Sequence, residues 1–210
     1  MKGFVSIMVW MQVLATCIAH DYWIRVEPMA PATGDRVKVF IGGGHAFPES
    51  DVLLDERLLT GININRHAVK PETDAREWVF SWVAPSSGVF RASYQLKRPR
   101  RDEPFHEAVA WVVSGANDTG AYATGRGLEL IPVSPWSALA VGESWMVEAR
   151  WNGEVIEAQI GLTQPGTRAI YRRSSVDQPA VFRVTTPGPV LCTVRRQGRT
   201  ASLTLPIPAR

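Results

Sequence analysis

The strongest constraint on this chain is a repeated pattern of short stretches in which apolar and polar residues alternate, each closed by Gly, Pro, Asn or Asp. DYWIRVE (21–27) and DRVKVFI (35–41) alternate with period two, which puts successive side chains on opposite faces of a half-buried strand. REWVFSWVA, PSSG and VFRASYQL (76–96) read as strand, tight turn and strand, and EAVAWVVS (107–114) as another strand. Beyond residue 127 the pattern restarts through LELIPV, SWMVEARW, EVIEAQIGL, RAIYRR, AVFRVTT, VLCTVRR and ASLTLPI. WNGEV (151–155) sets Asn-Gly between two such runs, the hairpin signal in which both turn positions take positive φ. Only DVLLDERLL (51–59) competes as a helix, and it is short. Many short strands with regular turn signals predict an all-β chain of two immunoglobulin-like β-sandwich domains. Trp23, Trp78, Trp82 and Trp111 fall inside strand patterns and are expected to pack in the cores.

The first nineteen residues read differently. Lys2 precedes an uncharged, mostly apolar run from Phe4 to Ala19, and Cys17-Ile18-Ala19 supplies small residues for a cut after Ala19. The expected organisation is a signal peptide over 1–19, an N-terminal sandwich over 20–113, a turn-rich connection over 114–127 (SGANDTGAYATGRG) and a C-terminal sandwich over 128–210. A retained anchor and a lipid-modified Cys17 are the competing fates of the leader. The expected location is periplasmic or otherwise exported, without strong membrane binding once the leader is removed. Cys192 would then be the only cysteine, so no internal disulfide forms, and its setting in PVLCTV reads as a small buried hydrophobe. A formal charge of +3 argues against a nucleic-acid partner, and the basic run KRPRR (97–101), followed by Asp-Glu, reads as a solvated turn.

No nucleophile elbow, phosphate loop or dinucleotide fingerprint is present; IGGGH (41–45) lacks the helix that would follow one. The four histidines carry more information. If Glu27 pairs near Arg36 across the PMAPATG turn, paired numbers sum to about 63, and His20 lies opposite residue 43 with His45 two places beyond. A slip of two residues in the turn would still leave both histidines at one end of the hairpin. Cleavage before His20 gives that residue a free α-amine beside its imidazole, a bidentate grip to which His45 adds a second imidazole. Such nitrogen donors suit Ni²⁺, Co²⁺, Cu²⁺ and Zn²⁺, and all must be deprotonated to bind. His106, at the start of a strand, is the next candidate ligand. His67 and Asp21 are weaker ones, since Asp21 alternates onto the opposite face. The competing reading is a set of unrelated surface histidines.

AHDYWIRVEP (19–28) after a leader, followed by GDRVKVFIGGGHAFPES (34–50), resembles a family of exported bacterial proteins described as periplasmic components of cobalt/nickel transport. FSWVAPSSGVFRASY (80–94) is similar to the family's F-x-x-P-x-x-G-x-Y segment, with Phe90 in place of the tyrosine. LELIPVSPWSALAVGESWMVEARWNGEVIEAQIGL (128–162) is similar to its second-domain pattern, although G-E-V-I stands here for G-K-P-L. The resemblance implies an exported two-part β fold and, in some members, Ni²⁺ or Co²⁺ bound ahead of a membrane cobalt/nickel importer. Only His20 and His45 match positions able to carry that role.

The sequence thus supports a non-enzymatic periplasmic protein that binds nickel or cobalt at His20, His45 and His106 and serves its uptake. Two other classes stand beside it. An amino-terminal histidine with a second histidine also makes a copper brace, as in copper carriers and oxidative copper enzymes. The third class is a structural or adhesive pair of immunoglobulin-like modules.

Overall fold

The computed structural model describes residues 20–98, 104–115, 123–136 and 139–207. The expected signal peptide, the KRPRR run beyond Arg98 and residues 116–122 of the expected connection lie outside them.

The alternating stretches fold as strands. The first half holds β1 (Asp21–Glu27), β2 (Arg36–Gly44), β3 (Leu59–Ile64), β4 (His67–Ala68), β5 (Glu72–Asp74), β6 (Glu77–Val83), β7 (Gly88–Lys97) and β8 (Pro104–Ser114). The second holds β9 (Leu128–Pro132), β10 (Ser144–Trp151), β11 (Glu154–Ile156), β12 (Ala158–Thr163), β13 (Ile170–Ser174), β14 (Ala180–Arg183), β15 (Gly188–Arg196) and β16 (Arg199–Ile207). The short helical candidate shrinks to one 3-10 turn at Glu56–Leu58, where the Asp55 side chain accepts from the Arg57 backbone N–H. Asn152 and Gly153 take positive φ between β10 and β11, as the Asn-Gly signal requires.

The protein is all-β and built as two immunoglobulin-like sandwiches, in the sense of sheets packed face to face over an apolar core. A sheet ordered β1-β2-β6-β5 covers one half of a long sheet, and β9, β10, β11 and β14 cover the other half. The first core joins Ile24 and Val26 to Val37, Val39 and Ile41 and to Tyr94, Ala108 and Val112. The second joins Trp136, Trp145 and Val147 to Ile160, Leu162, Val190, Leu203 and Leu205. Cys192 is buried in the second core, where loss of water holds its thiol pKa well above the usual range.

The long sheet runs through both halves without a break, in the order β13-β12-β15-β16-β8-β7-β3-β4. Its join is a parallel ladder from Thr200 opposite His106 to Thr204 opposite Ala110. Strand β8 serves both cores: Ala108, Ala110 and Val112 face the first, while Trp111 belongs to the second. The two halves are therefore not beads on a flexible string. Backbone hydrogen bonds and a shared strand tie them together, whatever path the chain takes between them.

Candidate metal centre

The end of the β1–β2 hairpin is shaped by three consecutive glycines, each with its own physical reason. A Cβ on Gly42 would lie 2.7 Å from Trp23 Nε1, and one on Gly43 would lie 2.7 Å from Tyr22 Cδ1, so these two glycines make room for cross-strand rings. Gly44 has φ +149, and the place where its Cβ would sit is filled by the Asp51 carboxylate, 1.8 Å away at Oδ1. Glycine freedom of backbone conformation matters at Gly44 alone of the three.

The hairpin register differs from the expected one by two residues. Glu27 pairs with Lys38 rather than Arg36, so paired numbers sum to 65, up to Asp21 opposite Gly44. Arg36 and Val37 extend β2 past the end of this ladder and pair with β6 alone, opposite Val83 and Trp82. The slip brings the histidines closer. One step past Asp21 and Gly44, the His20 and His45 rings meet with centroids 4.4 Å apart and planes tilted by 58°. Two imidazoles bound to one ion at about 2 Å per nitrogen and about 90–110° apart would hold their ring centres about 4.5–5 Å apart, a little more than the separation of this ring contact.

The loop after His45 is held firmly. Phe47 packs edge-to-face on Trp23 with centroids 5.4 Å apart, and both bury against Leu191 of β15. Ser50 Oγ lies 3.1 Å from the Gly43 N–H and within 3.2 Å of the carbonyls of Gly43, Val52 and Arg76. The loop thereby delivers Asp51, whose Oδ2 stands 3.0 Å from His45 Nδ1. That hydrogen bond is the main cause holding the Asp51 carboxyl below its ordinary pKa. With Nδ1–H donated to the carboxylate, Nε2 of His45 carries the lone pair, the tautomer a metal-binding histidine needs. Asp51 was not singled out in the sequence; a carboxylate six residues after His45 gives no signal until the loop returns.

The other candidates fall elsewhere. Asp21 Oδ1 accepts from Arg195 Nη2 at 3.1 Å. Burial raises the Asp21 pKa, with Arg195 acting against it. His67 is exposed in β4, paired with Ile64. His106 is corrected from ligand to core residue. It is only 2 % exposed, with Nε2 3.0 Å from Ser202 Oγ and its ring edge-on to Tyr22. Burial drops its pKa to about 3, a backbone hydrogen bond with Tyr22 acting against the shift, so it stays neutral at ordinary pH. Its place at the start of a strand gave no sign of this burial, which comes from Tyr22 of β1 and Ser202 of β16.

Among the described residues, no group of three or more His, Cys, Asp and Glu side chains is arranged to hold a metal ion. The donors brought together are two imidazoles, one of them oriented by a carboxylate.

No protein-family model matches the chain, and no curated protein matches it. Its fold is similar to solved tandem structures at low levels. The D0-D1 domain of intimin is 12 % identical, covering 90 % of this chain and all of that one, with a TM-score of 0.29. The Escherichia coli adhesin FdeC is 13 % identical over 90 % of this chain and 64 % of its own, with a TM-score of 0.26. The titin immunoglobulin tandem A164-A165 is 11 % identical over 91 % and 98 %, with a TM-score of 0.28. Likenesses at this level bear on neither partner nor activity.

Proposed function

We propose that this chain is an exported, non-enzymatic β-sandwich protein that takes one Ni²⁺ or Co²⁺ ion at His20 and His45 and presents it for uptake by a membrane importer. The observation that supports this reading is the ring pair at 4.4 Å with Asp51 orienting His45. Two imidazoles leave an ion short of donors, and the α-amine of His20, exposed by cleavage after Ala19, supplies the third nitrogen. The same amine and imidazole set also suits Cu²⁺, which binds most nitrogen sites more tightly than Ni²⁺, so copper handling is the alternative cargo.

A structural or adhesive module is the second reading. It is favoured by the absence of a three-ligand group among the described residues and by the unbroken sheet that runs through both halves. Calorimetric titration with Ni²⁺, Co²⁺ and Cu²⁺ separates the two. Chain beginning at His20 should bind one ion, while a form with one extra residue before His20, or His45→Ala, should lose about tenfold or more in affinity. Equal, weak binding by all three proteins refutes the metal reading and leaves the module.

A further inference from the structure

Away from the histidine pair, a cleft of about 530 Å³ opens between the outer face of β1, the loop 48–50, the β5–β6 turn and Pro189 of β15. Its volume lies in the range of small-ligand sites, and every lining residue but Pro189 comes from the first half. Val26, Met29, Pro48, Ala75 and Pro189 give it apolar walls. The charged lining is Arg25, Glu27, Glu49, Asp74, Arg76 and Glu77, so four carboxylates face two guanidiniums. That excess of negative charge stands on a chain whose formal charge is +3.

The cations are largely spent already. Arg25 lies 3.9 Å from the centre of the Phe40 ring, donates to Glu77 Oε2 at 2.9 Å and pairs with Glu27. The other Glu77 oxygen is buried over Gly42, and the Glu77 charge is met by Arg25, so Glu77 adds no free charge to the wall. Glu49 and Asp74 form no ion pair among the described residues. Arg76 alone remains to balance them, and it is exposed. The loop that forms one wall is the one pinned by Ser50 and Phe47, so the cleft is held open by packed structure rather than by a mobile segment.

We infer that this cleft binds a protonated amine attached to an apolar body, the amine set against Glu49 and Asp74 and the body against Met29, Pro48 and Pro189. Such a group comes either as a small organic amine or as a lysine flanked by apolar residues in an extended peptide. Attraction between exposed charges is screened, so binding weakens as salt rises.

The test is calorimetry on the full chain in EDTA, which removes any metal contribution. Four probes are compared: phenylethylamine, the neutral isostere phenylethanol, phenylpropionate, and a capped Leu-Lys-Leu peptide. Phenylethylamine or the peptide should saturate one site, with phenylethanol about tenfold weaker or worse and phenylpropionate weaker still. Glu49→Gln with Asp74→Asn should weaken the amine about tenfold, and Arg76→Gln should strengthen it about two- to threefold. Tighter binding of the peptide than of the free amine assigns a peptide source, and the reverse assigns a small amine. Equal binding of amine and alcohol, an unchanged double variant, or no saturation by about 10 mM for either amine probe overturns the inference. None of these outcomes depends on whether His20 and His45 bind metal.

Discussion

Gly44→Ala tests the construction of the histidine site most sharply, because it adds one methyl group and removes nothing. At φ +149 a Cβ is strained, and holding an L-residue in such a glycine-only region costs about 1–3 kcal/mol. For a chain of this size each kcal/mol lowers Tm by about 2–4 °C. The methyl carbon would also fall 1.8 Å from Asp51 Oδ1 and 2.7 Å from Cγ, so the carboxylate must leave. Asp51 then no longer fixes the His45 tautomer, and loss of an outer-shell partner of this kind weakens metal affinity about 10–100-fold. The assay is a double-mutant cycle with Asp51→Ala, read both as urea stability and as Ni²⁺ affinity. In the Asp51→Ala background the carboxylate clash is gone. Gly44→Ala should then cost only the backbone strain, with no further loss of affinity beyond that of Asp51→Ala. The strain remains because φ at position 44 is unchanged, and the Asp51 backbone N stays 3.1 Å from the added carbon. If Gly44→Ala alone leaves affinity unchanged while Ni²⁺ still binds at His45, the claim that Asp51 orients that histidine is wrong.

Three further outcomes are expected. Burial holds the folded His106 pKa near 3 against 6.5 unfolded, so the unfolded chain takes up the proton first and stability falls as pH drops below 6.5. Between pH 7 and pH 5 this should cost about 2 kcal/mol, and urea unfolding of His106→Gln should lack that share of the loss. Phe47→Ala removes the cap on Trp23 and should cost about 3 kcal/mol while loosening the His45 loop; unchanged stability would show that this outer cluster contributes little. Proteolytic cutting within 116–122 should leave both fragments co-eluting in size-exclusion chromatography, because β16 stays paired with β8; separation under native conditions would contradict the shared sheet.

Period-two alternation and turn chemistry were sufficient, by themselves, to place most strands and the all-β class, because each strand's two faces and each positive-φ turn are written locally; the short β3, β4 and β5 over 59–74 were missed. Asn152-Gly153 and the strands around Trp78 and Trp82 needed no tertiary knowledge. The convergence of His20 and His45 was legible as well, since a hairpin folds two nearby segments onto each other. The register was not, because the 28–34 turn composition does not say where β1 stops pairing, and the ladder closes at Glu27 opposite Lys38. Asp51 reached His45 only through the loop that Ser50 and Phe47 pin, and His106 lost its candidacy only when β1 and β16 closed over it. The parallel pairing of β16 with β8 joins residues almost a hundred positions apart. Local patterning records which residues seek burial and which tolerate a turn. It holds no record of which distant strand will supply the missing neighbour, because that choice belongs to the packing of the whole chain.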